Sequence, residues 1–198
     1  MTITEQYTSY IKDLPTLLKR FGELDITHKW PQVMTSRSTG IMGTGIAFSS
    51  VSADYKLQKD GSITLLNRAY NSDFKPIFIS GVCKCADNTV PTCRTVKFDD
   101  LFFEGDYWIA YISADMSTFI VSAPLVLLGK VIAPNFGLYV LTRDRDAYWA
   151  NDKLQTEINA VLLDYGFTSY WNKPVFSGES KPIITADATI SDSRFQGL

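Results

Sequence analysis

Ser52-Ala53-Asp54-Tyr55-Lys56-Leu57 runs through Gln58-Lys59-Asp60-Gly61 into Ser62-Ile63-Thr64-Leu65-Leu66-Asn67, and this stretch decides the fold. Both arms are β-prone and alternate in polarity, and Asp60-Gly61 between them supplies the positive φ angles of a tight turn. The pattern is a β-hairpin, and it recurs along the chain. Strand candidates lie at about 30–36, 48–57, 62–70, 76–86, 93–99, 106–113, 118–123 and 137–143, with Ala114-Asp115 marking a further turn. Eight strands in hairpin order predict an all-β fold, an antiparallel up-and-down barrel. A barrel of that size either fills its interior with side chains or holds one small ligand there.

Helical patterns flank the strands. Residues 4–21 place Tyr7, Ile11, Leu14, Leu18 and Phe21 at helical spacing, with Pro15 bending or restarting the segment. This predicts an N-terminal helical extension over residues 1–23 that covers one end of the body. Residues 152–165 form the clearest helix: Leu154, Ile158, Val161, Leu162 and Tyr165 make one apolar stripe. Asp152 with Gln155 reads as a capping box and Gly166 as the C-cap. A single stripe packs against the outside of the sheet. The barrel and this helix span residues 24–172, and residues 173–198 read as an extended C-terminal tail, part of a Ser-, Asp- and Pro-rich strap from Phe167 onward.

Composition excludes several classes of function. The 198 residues suit one domain with a real core, and the net charge of −2 without runs of like charge excludes a nucleic-acid footprint or a polybasic membrane patch. No apolar stretch reaches the length of a membrane span; Pro124, Gly129 and Lys130 interrupt the longest, Val121 to Ala133. Met1-Thr2-Ile3-Thr4-Glu5-Gln6 shows no secretory leader, so a cytoplasmic or otherwise intracellular location is expected. Cys83, Cys85 and Cys93 are an odd number, which favours reduced thiols. In an oxidising compartment Cys93 could reach Cys83 or Cys85 across a hairpin. Their spacing lacks the paired C-x-x-C loops of a zinc site, and His28, the one histidine, is far away in sequence, so no metal is expected.

The order of these elements, and residues within them, resemble the lipocalin family, in particular its bacterial and apolipoprotein D-like branch. That branch carries a Gly-x-Trp on its first strand, a V-x-A-x-Y-x-L…D-G-x-I-x-V-x-N hairpin, a Y-W-V/I strand, a late L-x-R, and a helix ending in Gly-Phe or Gly-Tyr. The counterparts here are Trp30, then Val51 to Leu57 with Asp60 to Asn67, then Gly105-Asp106-Tyr107-Trp108-Ile109, Leu141-Thr142-Arg143, and Gly166-Phe167. His28 stands where the family has its glycine, Pro31 follows Trp30 where an aromatic is usual, and Ala123 to Asn135 reads as an insertion, which leaves open an inserted loop, an extra strand pair or a contact surface for a partner. The resemblance implies that Trp30 sits at the closed end of the barrel with Arg143 across its ring. It also implies non-covalent binding of a small hydrophobic ligand, such as a fatty acid, lysolipid, sterol or retinoid-like molecule.

An interior ligand would meet alternate side chains: Val51, Ala53 and Tyr55, Ile77 and Ile79, Phe98, Tyr107 and Ile109, and Tyr139. Which alternate set faces inward is left open, because a shift of one residue swaps the faces. The same residues could instead fill a dry barrel serving as a structural or interaction module, with the apolar segment 124–136 as a surface for a protein partner. The open end would be rimmed by 37–47, 71–75, 99–105 and 124–136. Gly40-Ile41-Met42-Gly43-Thr44-Gly45 lacks the spacing and the Gly-Lys-Ser/Thr of a phosphate loop and reads as a rim loop. No cofactor is implied. Catalysis is not expected: His28 lies near the predicted closed end, no nucleophile elbow exists, and Asp99, Asp100 and Glu104 read as a solvated hairpin end. A thiol-dependent isomerase using Cys83 or Cys85 is the third reading, and it would need a depressed thiol pKa.

Overall fold

The alternation of inward and outward residues closes into a ring. In the computed structural model, which describes residues 1–37, 49–71, 73–87, 89–99 and 104–177, eight antiparallel strands follow one another: β1 (Lys29–Ser36), β2 (Ser49–Leu57), β3 (Ile63–Tyr70), β4 (Pro76–Cys85), β5 (Cys93–Phe98), β6 (Glu104–Ile112), β7 (Thr118–Leu127) and β8 (Lys130–Thr142). Each of β2 to β7 pairs with its successor, β8 returns to β1, and β1 pairs with β2 over Lys29–Pro31 to seal the barrel. Higher up, beyond an irregularity at Gln32/Met34, β1 takes a short ninth strand instead: β9 (Pro174–Phe176) lies against Ser36 to Met34. The strap expected from Phe167 onward instead begins with turns over 167–173 and becomes sheet only at β9, and residues 178–198 of the tail lie outside the described residues.

The hairpins refine the sequence reading. Asp60-Gly61 does form the β2–β3 turn, but only Gly61 has a positive φ, +80°. Gly61 N–H donates to the Gln58 carbonyl, and Gln58 N–H to that of Ser62. The loop is one residue wider than a two-residue turn, with glycine in the left-handed position. Asp60 accepts from both the backbone N–H and the hydroxyl of Ser62. A two-residue turn with both φ positive occurs instead at Leu128 (+51°) and Gly129 (+74°), flanked by the pair Leu127 and Lys130. The expected insertion is thus an extension of β7 and β8, which run as one hairpin well past the predicted ends at 123 and 137. Register breaks on both sides of Leu125 interrupt this extension.

The N-terminal segment is two helices. Thr2 and Glu5 form a capping box on α1 (Ile3–Tyr10), and Asp13 caps α2 (Leu14–Glu23), whose first turn contains Pro15. Proline restarts the helix here because its ring is preorganised for a first turn. The expectation that this segment covers one end holds for α2 alone: Arg20 Nη1 donates to the Ile112 carbonyl at 2.6 Å, at the last residue of β6. α1 covers the flank. Its Tyr7, fully buried, meets Trp108 edge-on and donates its hydroxyl to the Ile109 carbonyl at 2.8 Å.

Two further helices follow β8: a short α3 (Arg145–Trp149), unforeseen in the sequence, and α4 (Asp152–Asp164). The cap of α4 is Asn151, which accepts from Leu154 N–H, rather than the expected Asp152–Gln155 box. Gly166, at φ +76°, ends α4 as predicted, and Phe167 N–H reaches back to the Leu162 carbonyl. Leu154, Ile158 and Leu162 are buried, and Glu157 and Tyr165 bind Tyr111 and the Ala110 carbonyl of β6 from outside.

A leucine in a left-handed turn position, 93% exposed, is held in a conformation that Asn or Gly adopts more readily. Leu128→Asn should therefore raise stability by about 0.5–1 kcal/mol, read as a higher urea midpoint at unchanged slope. An unchanged or lower midpoint would show that Leu128 is held by contacts within the chain.

Candidate ligand cavity

Because the β2–β3 hairpin pairs Tyr55 with Leu65 and Ala53 with Asn67, these side chains share the inward face. They enclose a cavity of about 180 Å³. From the predicted set, Val51, Ala53 and Tyr55, Ile77 and Ile79, Phe98, Tyr107 and Tyr139 all stand on its wall. Ile109 does not. It is cross-strand from Val121 on the same inward alternation as Tyr107, but lower, where both are fully buried. Residues the sequence reading did not name complete the wall: Leu65, Asn67 and Ala69 of β3, Val96 of β5, Gly105 and Asp106 of β6, Ala123 of β7, Leu141 of β8 and Gln32 of β1. The β3 trio was readable in principle, since the hairpin register places Leu65 beside Tyr55. Gln32 was readable in the same way, two residues beyond Trp30 on the same face, since the irregularity in β1 comes only after it.

A tyrosine bar crosses the barrel. Tyr55 and Tyr107 stand on strands β2 and β6, on opposite sides of the ring, and their hydroxyls meet at 2.6 Å. Tyr139 lies near-parallel to Tyr107, with ring centroids 6.5 Å apart. Burial pushes the phenols of Tyr55 and Tyr107 far above their usual pKa, so both stay neutral hydrogen-bonding groups. Below the bar, Phe119 sits 6.2 Å from Tyr55 and 4.7 Å from Trp30. Arg143 lies over the Trp30 ring, with its guanidinium carbon 5.4 Å from the centroid. Trp30 is fully buried and donates its indole N–H to the Ile26 carbonyl at 2.9 Å. His28 and Pro31 therefore leave this tryptophan where the resemblance placed it. His28 itself is at the closed end, 3.1 Å from Asp25. Hydrogen bonds from Thr27 hold the Asp25 carboxyl below its ordinary pKa, with smaller help from His28 and Arg143.

The polar groups of the wall are few. Gln32 donates to the Ser177 hydroxyl at 2.8 Å. The side-chain amide of Asn67 has no hydrogen-bond partner among the described residues. Asp106 borders the cavity, yet strand alternation puts its carboxyl on the outer face with Cys93. Its pKa is raised, first by burial and then by Glu104. Asp99 and Glu104 accept hydrogen bonds from the Ser80 and Thr95 hydroxyls and do not form a carboxylate pair. Asp100, and the Gly40–Gly45 loop, lie outside the described residues.

Cys83, Cys85 and Cys93 are free thiols. Cys83 shares the inward alternation of Ile77 and Ile79, below the cavity, whereas Cys93 is cross-strand from Trp108 on the outer face. Burial pushes both Cys83 and Cys93 up to about 12, the opposite of what a thiol nucleophile needs. Among the described residues no group of three or more His, Cys, Asp and Glu gathers to hold a metal, and no helix is long and apolar enough to cross a membrane.

Known proteins share this architecture. Residues 45–128 match the family model described as a lipocalin-like domain. Among solved structures, lobster apocrustacyanin A1 is similar at a TM-score of 0.62 and 11% identity, over 85% of this chain and 87% of that one. Apocrustacyanin C2 is similar at 0.60 and 10% identity, over 83% and 86%. The siderocalin Ex-FABP is similar at 0.53 and 10% identity, over 79% and 91%. No curated protein matches the chain in sequence. At such identities the likeness is one of fold: the barrel is lipocalin-like, with its ring of eight strands, N-terminal helices and C-terminal helix.

Two outcomes are expected from these features. Arg143→Ala should lower stability by roughly 0.5–1 kcal/mol, the low end for a cation–π contact because Arg143 is exposed, without altering affinity for a neutral hydrophobic probe. A changed ligand spectrum at unchanged stability would contradict a closing role. The buried thiols set an alkaline limit. Unfolded thiols ionise near their ordinary value, whereas folded Cys83 waits until about 12. The stabilisation is complete below about pH 9 and is lost as pH rises towards 12. Cys83→Ala should flatten the fall in urea midpoint between pH 8.5 and 10.5, and an equally steep fall would contradict the assignment.

Proposed function

We propose that this protein binds a small hydrophobic molecule non-covalently inside its barrel. The observation that carries the reading is the open space itself, walled by Val51, Ala53, Ala69, Ile77, Ile79 and Phe98 and floored by the tyrosine bar. A water needs roughly 10–15 Å³ of such space, so a cavity of about 180 Å³ has room on the order of a dozen. Its walls offer those waters few partners, which leaves the space suited to an apolar occupant. Fatty acid, lysolipid, sterol and retinoid-like chains have the right character. The lipocalin-like fold supports the same reading, and the siderocalin Ex-FABP is itself described as functioning through dual ligand specificities. The finer kinship with bacterial and apolipoprotein D-like lipocalins rests on the residue pattern of the strands.

A second reading rests on a separate observation. Leu125, Leu127, Leu128 and Ile132 of the β7–β8 extension are all exposed, as a contact surface within segment 124–136 would require. It is compatible with the first and concerns where the protein acts rather than what it carries.

Native mass spectrometry of protein from its own source, with extraction of what dissociates, tests the carrier reading. A hydrophobic molecule near one per chain is expected. Ala53→Phe, which fills the wall beside the bar, should reduce binding of a neutral fluorescent probe at least about tenfold while the far-ultraviolet spectrum is kept. Unchanged probe binding in a folded Ala53→Phe protein would place the ligand elsewhere.

A further inference from the structure

We propose that the cavity selects ligands whose polar end is neutral, a hydroxyl or carbonyl, over the corresponding carboxylates. The proposal rests on the carrier reading above and adds the chemistry of the head group.

The first observation is a match of hydrogen-bonding capacity. Two phenols that share one bond use one of their two hydrogens, so the Tyr55–Tyr107 bar keeps one O–H to donate. Asn67 stands one inward step from Leu65, the cross-strand neighbour of Tyr55, and its amide has both a donor and an acceptor without a partner among the described residues. An apolar wall with an unused amide near an unused phenol hydrogen is built to receive one group that both donates and accepts, or accepts alone. A hydroxyl or carbonyl does this at no cost in charge.

The second observation is the absence of a matching cation. Among the described residues, the wall carries no Lys, Arg or His; the cations of the rim segments, Arg37, Lys75 and Lys130, are not wall residues. A carboxylate carried into this space would be desolvated with no counter-charge on the wall, which is far more costly than desolvating a neutral group. Arg94 of β5 is buried on the inward alternation, cross-strand from Tyr107 and two residues from Val96 of the wall, but it is not itself a wall residue. Its Nε donates to the Pro91 carbonyl at 2.8 Å and its guanidinium lies 5.8 Å from the Phe21 ring of α2, so it fastens that helix to the barrel end. Its Nη1 has no partner among the described residues, which makes Arg94 the rival anchor that a test must include.

The test is displacement of the neutral probe N-phenyl-1-naphthylamine at pH 8 by three C12 chains: dodecanol, methyl dodecanoate and dodecanoate. The alcohol and the ester are expected to bind at least about tenfold tighter than the carboxylate. Asn67→Leu should weaken the alcohol several-fold, and the double variant Tyr55→Phe/Tyr107→Phe, which keeps the ring packing and removes both phenol hydrogens, should do the same if Asn67→Leu fails to fold. Dodecanoate binding as tightly as dodecanol would overturn the proposal while leaving the carrier reading intact. Loss of that dodecanoate affinity in Arg94→Met would name Arg94 as the anchor. Failure of all three chains, and of the probe itself, to bind would overturn the carrier reading together with this one.

Discussion

Trp30 sits where the barrel closes, and much of the interior depends on that closure. Its strand is paired on one side with β2, where Trp30 faces Ala53, and on the other with β8. Its ring is covered by Arg143 from below and touches Phe119 above, and Phe119 in turn touches Tyr55. One column of aromatic rings therefore runs from the plugged end to the tyrosine bar. Closing the ring also removes the exposed edges that an eight-stranded open sheet would present, so the outer face is left free to carry helices. Without the Lys29–Pro31 pairing, β1 would have only β8 and β9 as partners, and the column would lose its base.

The outer dressing follows a different logic. Trp108 is cross-strand from Cys93 and Ser122 on the outward alternation. In a bare barrel it would be exposed, and here it is fully buried because Tyr7 and Tyr10 of α1 cover it. Tyr165 of α4 then joins Tyr10, 4.9 Å between ring centroids, and accepts from the Lys12 backbone N–H. The two helical patterns at opposite ends of the chain thus meet on one patch of β6. They reinforce the wall from outside and leave the interior untouched.

Much of this was legible from residue patterns, and the failures are physically specific. The Asp60-Gly61 hairpin, the Gly166 cap and the stripe of α4 were readable because each is local: a turn, a left-handed residue, a helical period. The ends of β7 and β8 were not, because Leu125 to Ile132 are apolar on both faces and offer no alternation to count. The two-residue turn at Leu128-Gly129 carries no Asn or Asp to announce it. α3 is too short to show a period. The division of labour between α1 and α2 depended on where Trp108 points, which is a tertiary fact. Ile109 was placed with the wall residues because alternation gives a face but not a depth.

Depth is set by side-chain size, and this is what separates a cavity from a packing defect. Below the bar the inward positions carry Ile63, Cys83, Ile109, Ile112, Phe119 and Val121, together with Arg94 of β5, all buried. At and above it stand Ala53, Ala69, Gly105 and Ala123, each too small to reach the centre. The change falls on at least three strands at the same level: Phe119 and Val121 give way to Ala123 on β7, Ile109 to Gly105 on β6, Ile63 and Leu65 to Ala69 on β3. A filled barrel needs large residues throughout, since every unfilled methylene in a core weakens it. Small residues grouped above one polar bar, over a densely packed base, form a compartment with a floor. The floor is made by two phenols from opposite walls, so the empty space ends on a polar, hydrogen-bonded pair rather than on packed hydrocarbon.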